Sequence, residues 1–188
     1  MKKIIFLLFP LFSMAQTCPP NGDNKNAKIQ AADLLKNRSY YPGKDKAKEI
    51  SLEDLMADKV TDTGFVFVDA YITSAKISGV ESCECHIADK AFQDYHIYIS
   101  YVGTDKLGKH NQVVEVSRYS RQVNPGIGFD YVKGLIGHKV RIYGYTFFDE
   151  EHKSAIGGWR AGIEEIHPVL FIDKLDKILF LNREVGQR

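Results

Sequence analysis

What this chain of 188 residues lacks already removes several functions. Its longest apolar run, Ile4 to Phe12, is broken by Pro10 and falls short of the roughly 20 residues that a membrane-spanning helix needs. It has no charge excess of either sign, with 25 Lys plus Arg against 24 Asp plus Glu. Bulk electrostatics therefore give no case for nucleic acid. Compact catalytic signatures are missing too. There is no Gly-x-Ser-x-Gly elbow and no His-Glu-x-x-His helix, and Gly126-Ile127-Gly128 lacks the lysine and the strand-to-helix setting of a phosphate loop. Cysteine is scarce, at three residues, and tryptophan scarcer, at one.

The first residues read as a targeting segment. Lys2 and Lys3 precede the apolar run, and Ser13-Met14-Ala15 places small residues at a cleavage site. Cleavage after Ala15 gives a secreted or periplasmic protein with net charge 23 minus 24, or −1. Lipoprotein anchoring through Cys18 is disfavoured, because Thr17 stands where a small residue is expected. The expected organisation is a signal peptide at 1–15, an N-terminal arm with short helices at 16–59, a barrel domain at 60–181 and a tail at 182–188.

An oxidising compartment permits one disulfide among Cys18, Cys83 and Cys85. Cys83-Glu84-Cys85 is a tight spacing for a bridge. Cys18 joined to either of them would staple the arm to the body. The two close cysteines beside His86 could instead be soft metal ligands, or thiols could stay free.

Period-2 alternation sets in at Gly64 and marks the strands. Gly64–Ile72 is long enough to bend and serve two parts of a barrel. His96–Tyr101, Val113–Ser117 and Lys139–Phe148 follow, with a short helix at Tyr131–Ile136 before the last. Trp159–His167 reads as a further strand ended by Pro168, with Val169–Asp173 and Ile178–Leu181 beyond it. Earlier, Ala31–Leu35 suggests a short helix, and Ser51 caps another. The order predicts a mostly β fold: an OB-like five-stranded barrel with a short helix between strands three and four and an N-terminal arm. Gly137 and Gly144 frame a strand coiled tightly enough to need bare backbone.

Four polar residues form the candidate metal set: His96, His152, Glu165 and His167. Glu165 and His167 share a strand face, and Asp149 and His152 share a loop. Three imidazoles with carboxylates suit zinc, or manganese if oxygen dominates. Imidazole nitrogens about 3–4 Å apart around an open position would mark a metal site. Histidines each tied to a carboxylate would mark a structural network. His96 also reads as a surface residue bonded to Asp94, and Glu115 as a solvent-facing interruption of a valine run. Tyr98, Arg141, Tyr145 and Trp159 are the candidate ligand-binding surface.

Several stretches recur together in a known pattern. Glu81-Ser82-Cys83-Glu84-Cys85, Asp94-Tyr95-His96, Val114-Glu115-Val116, Phe148-Asp149-x-x-His152 and Trp159-Arg160-Ala161 running into Glu165-Ile166-His167-Pro168-Val169 resemble a family of small secreted bacterial OB-like proteins without assigned activity. The resemblance covers about residues 31–173. It implies fold and compartment and no catalytic residues. The family commonly has tryptophan where this chain has Glu164.

The reading that follows is a non-catalytic extracytoplasmic OB-like module binding a protein, glycan or small ligand, with no cofactor. The alternative is a metal-dependent hydrolase of phosphodiester or related substrates, with zinc or manganese held by the histidines and Glu115 or Glu165 as base.

Overall fold

A computed structural model describes residues 17–61 and 64–175. The targeting segment, the Ile178–Leu181 stretch and the tail lie outside the described residues. The elements, in order, are helix α1 (Ala27–Lys36), strand β1 (Lys48–Glu49), α2 (Leu52–Met56), β2 (Phe65–Ile77), β3 (Tyr95–Ser100), β4 (Gln112–Val116), α3 (Arg118–Val123), α4 (Phe129–Gly134), β5 (Lys139–Phe148) and β6 (Glu164–Lys174). Strands β2, β3, β4, β6 and β5 pair in that order, and β2 also pairs with β5, so five strands close into a mixed barrel. Strand β1 adds to β2 in parallel. This is the expected OB-like barrel.

The long first strand is what closes it. β2 has 13 residues; Phe65–Tyr71 pairs with β5 and Tyr71–Ile77 with β3, with a register shift at Ile72/Ser74. Alternation along each strand then decides what is inside. Val66, Val68, Ala70 and Ile72 point inward with Ile97, Ile99, Val114, Val116, Val140, Ile142, Ile166 and Val169. Helix α2, capped by the Ser51 hydroxyl accepting from the Asp54 amide, adds Leu52 and Leu55. A second cluster of Phe65, Tyr143, Tyr145 and Leu170 lies on the outer side.

Two expectations need correction. The last strand opens at Glu164 rather than Trp159, and it runs through Pro168 instead of ending there. Pro168 falls in a bulge: Gly144 pairs with Val169 and Thr146 with Ile166, so β6 carries an extra residue opposite β5. A bulge tolerates a residue without an amide hydrogen. It also resets the alternation, so Ile166 and Val169 both face the core while Glu165 and His167 face out. α1 is also longer than expected, and α3 was not anticipated.

Gly144 is where β5 and β6 approach most closely. A methyl group there would overlap Pro168 O and Ile166 Cγ2. Gly144→Ala is expected to cost about 1–3 kcal/mol, the usual range for overpacking, as a lower urea midpoint with an unchanged slope. A midpoint equal to wild type would show that β6 yields freely at its bulge.

Among the described residues, no helix is long and apolar enough to cross a membrane.

Candidate metal centre

The outward face of the barrel is apolar in some places and ionic in one. Register makes His96 and Glu115 cross-strand partners on β3 and β4, and Phe147 and Glu165 partners on β5 and β6. His167 stands two residues along β6 from Glu165. These side chains form a row across four strands. Two loops and the arm cover it: residues 78–94 between the first two barrel strands, residues 149–163 between the last two, and α1. Both loops belong to the part of an OB barrel where ligands are commonly bound.

The arm is held down by covalent and polar links. Cys18 is bonded to Cys85, which settles the pairing left open between Cys83 and Cys85. Cys83 is a free, buried thiol, and burial pushes its pKa far up. Ser82 Oγ donates to Asp33 at 2.9 Å, and Asn37 Nδ2 donates to the Cys83 carbonyl at 2.9 Å. Helix α1 buries Asp33 and Lys36, while Leu34 and Leu35 are exposed. That inversion of the usual pattern has a reason: the ground beneath it is rich in carboxylates that need a cation.

Those carboxylates link into one network. His167 is 1% exposed; its Nδ1 lies 3.1 Å from Glu165 Oε1 and its Nε2 lies 3.1 Å from Asp94 Oδ2. Glu115 Oε2 lies 3.5 Å from His167 Nδ1, and Glu115 Oε1 lies 3.2 Å from His96 Nε2. Glu81 Oε1 approaches His96 Nε2 at 3.8 Å, and Lys36 Nζ lies 3.4 Å from Glu81 Oε2. Arg160, with 0% exposure, donates to Glu165 Oε2 at 3.0 Å, to Asp149 Oδ2 at 2.9 Å, and to the carbonyls of Gly162 and Ile163. Asp149 Oδ2 also meets His152 Nδ1 at 2.6 Å.

Electrostatics in this pool are coupled. Burial pushes the His167 imidazole down, but Glu115, Asp94 and Glu165 outweigh it and hold its pKa up at about 10. His96 is raised to about 11 against the same burial, by Glu115 and Glu81. Burial raises the Glu115 carboxyl, and the two imidazoles more than reverse that. Glu165 stays raised, by burial and then by Glu115. Glu84 is pushed up to about 9 by burial and Asp94, and its carboxylate caps the Asp94 amide. Asp149 falls to about 2, because His152, Lys36 and Arg160 overcome its burial. Glu81, Asp94, Glu115, Glu165 and Asp149 against Lys36 and Arg160 leave three negative charges for imidazolium ions or a metal to balance.

Two groups have ligand-type atoms all within 4.8 Å of one another: Asp94, Glu115 and His167; and Cys83, Glu84 and Asp94. All five residues are buried, and Asp94 belongs to both groups. Two oxygens and one imidazole nitrogen suit zinc or manganese. Neither group holds more than one histidine, so the metal-type geometry rests on carboxylates to a degree the sequence did not suggest.

Of the four expected metal residues, His167 is in a group, Glu165 bonds to it, and His96 adjoins through Glu115. His152 sits at the rim, joined through Asp149 and Arg160 and stacked edge-on to Trp159 at 5.9 Å between centroids. His96 is not a surface residue bonded to Asp94. It is 6% exposed, because the arm and the 78–94 loop cover its strand face, and Asp94 bonds His167 instead. Glu115 does not face solvent, for the same reason. The expected ligand surface divides. Tyr98 and Trp159 meet edge to face at 6.0 Å, with Lys76 over both rings. Arg141 instead pairs with Asp69, and Tyr145 donates to the Tyr40 carbonyl.

A cavity of about 290 Å³ opens beside the network, lined by Asn24, Glu81, Ser82, His86, Glu151 and His152. Glu81 and His152 are the members of the network that reach it, with side chains 24% and 34% exposed.

Sequence reasoning overlooked Lys36, Glu81 and Arg160 as parts of the site. The only available signals were a lysine on the same helical face as Asp33, and an arginine between Trp159 and Ala161 in a stretch otherwise read as a strand.

No family model matches this chain, and no curated protein matches it. Among solved structures, a putative aspartyl-tRNA synthetase from Leishmania major Friedlin aligns with a TM-score of 0.40 and 9% identity over 74% of this chain. The chain spans 23% of that protein's length, and nothing is carried over from it.

Proposed function

We propose that this protein works outside the cytoplasm as an OB-like barrel that holds a divalent cation at Asp94, Glu115 and His167, and that it hydrolyses phosphodiester or related substrates. The observation that carries this reading is the buried grouping of those three ligand types within 4.8 Å. The Cys18–Cys85 disulfide supports an oxidising compartment. Cleavage after Ala15, the division into arm, barrel and tail, and membership of the secreted OB-like family resembled by the Trp159–Val169 stretch belong to the same reading.

A bound zinc or manganese ion would supply an acidified water and charge stabilisation at the phosphoryl oxygens. The residues have separate tasks. Whichever His167 nitrogen is left over keeps a carboxylate partner, Glu165 on Nδ1 or Asp94 on Nε2, and this fixes the ring. Glu165, whose other oxygen accepts from Arg160, keeps the His167 ring in place. In the reaction the water oxygen bonds to phosphorus, the ester P–O bond breaks, and the water's proton ends on the leaving oxygen.

Metal analysis by mass spectrometry of protein purified without chelator or histidine tag tests this. At least one zinc or manganese per chain is expected, with the His167→Ala variant losing it. Turnover of bis(p-nitrophenyl) phosphate should depend on the metal. Absence of metal in both samples, with the variant merely less stable, would leave the network as structural.

One observation favours the second reading, a non-catalytic module for a protein, glycan or small ligand. An apolar groove of about 380 Å³ runs between Ile29, Ala32 and Leu35 of α1 and Phe147 and Phe148 of β5. In that version Tyr98 and Trp159 add a second aromatic contact.

A further inference from the structure

We propose that the Asp149–His152 pair is the proton donor of this site, with His152 Nε2 delivering a proton to the oxygen that leaves phosphorus. The inference rests on the hydrolytic reading above and deepens it, because it names the group that protonates the leaving oxygen.

The local chain builds the pair. Glu150–Ala155 forms a 3₁₀ turn that starts directly after Asp149. The i,i+3 spacing brings the His152 ring onto the Asp149 carboxylate, with Nδ1 2.6 Å from Oδ2. Asp149 is itself anchored. Its side chain is 2% exposed, its amide donates to the Ile163 carbonyl at 2.9 Å, and Oδ2 accepts from Arg160 at 2.9 Å. Arg160 also holds Glu165, which bonds to the His167 ring. One polar chain therefore orients both imidazoles, His167 among the metal ligands and His152 at the cavity wall.

His152 is the end of that chain that a substrate can meet. It lines the 290 Å³ cavity with Glu81, Ser82 and His86. With Nδ1 turned to buried Asp149, Nε2 is the nitrogen left for the cavity. A carboxylate on Nδ1 fixes the tautomer that carries a proton on Nε2, and it stabilises the imidazolium. The hydrogen bond to Asp149 accordingly holds the imidazole pKa above its ordinary value, with burial opposing and Glu81 and Glu115 adding to it. Lys36 lies 3.4 Å from Glu81 and 3.9 Å from Glu151, so the two carboxylates of the lining share a cation and repel a phosphate less. His86 also has an aspartate on Nδ1, Asp23 at 3.0 Å. Those side chains are 58% and 41% exposed, so water screens that pair, whereas Asp149 is buried against Arg160.

The step balances. As the ester P–O bond breaks, the Nε2–H bond breaks with it and the proton goes to the leaving oxygen. The water whose oxygen bonds to phosphorus returns a proton to Nε2, so the ring ends as it began.

The test compares methyl p-nitrophenyl phosphate with methyl phenyl phosphate on zinc-loaded protein with its disulfide intact. p-Nitrophenolate leaves without a proton, whereas the more basic phenolate needs one. His152→Asn is expected to keep its zinc and to slow the phenyl ester about 100-fold or more, the usual scale of general acid catalysis, but the nitrophenyl ester less than about fivefold. In wild type, the His152 ring resonances should shift in NMR spectra when dimethyl phosphate, an unreactive diester, is added. If His152→Asn does not fold, that shift decides. Equal slowing of both esters, loss of zinc from the folded variant, or unmoved resonances would overturn the donor and leave the hydrolytic reading standing. So would a selective loss in His86→Asn in place of His152→Asn. Zinc-loaded wild type that hydrolyses neither ester would remove both.

Discussion

Replacing Arg160 with methionine is expected to lower stability by about 3–5 kcal/mol, the cost of breaking a buried ion pair from one side. In a chain of this size that corresponds to a melting temperature lower by roughly 10 °C. The guanidinium is fully buried, and its bonds run to Glu165 Oε2, Asp149 Oδ2 and the carbonyls of Gly162 and Ile163. Methionine fills much of the same volume, so the loss isolates charge from packing. Two carboxylates would be left without their shared cation. Adding Glu165→Gln to the variant should therefore recover part of the loss, as coupled residues do in a double-mutant cycle. Calorimetric melts of the four proteins measure this. A loss within about 0.5 kcal/mol, as for an ordinary surface change, would mean that Arg160 does not neutralise the network.

The second large effect is expected at the disulfide. Cys18 and Cys85 are 67 residues apart, and a link closing a loop of that length is worth about 4 kcal/mol through the entropy of the unfolded chain. Cys18→Ser should show that loss in urea, and wild type in reductant should match it. Local effects should be larger still, since the bond pins the arm across His96, Glu115 and His167. Amide exchange in α1 and in the 78–94 loop should rise more than exchange in the core strands. Uniform acceleration would show that the arm stays seated without the bond. Cys83, buried and with its thiol pKa raised, is not placed to replace Cys18.

The barrel was legible because hydrophobic alternation is local. β5 was readable end to end, and so were the Ser51 cap and the close approach that demands glycine at Gly144. β6 was misread where tertiary packing overrode a local rule. Proline normally ends a strand, yet Pro168 sits in a bulge whose extra residue appears only once β5 is alongside. The site was legible in half. Glu165 and His167 share a strand face and were found together. Lys36 and Glu81 lie 45 residues apart and meet only after the arm folds back, so no spacing could announce them. His96 and Glu115 looked like wet positions because an outward strand face usually is wet. Here the chain covers that face with its own N-terminal segment.

That covering sets a limit on what the protein can work on. The opening beside the network holds about 290 Å³, at the lower edge of typical ligand pockets of about 300–1,000 Å³. A phosphate group with a small substituent fits that volume. Under the proposed hydrolytic reading, Asn24 of the arm and Glu81, Ser82 and His86 of the 78–94 loop wall the opening and restrict it to a small ester or the end of a larger one.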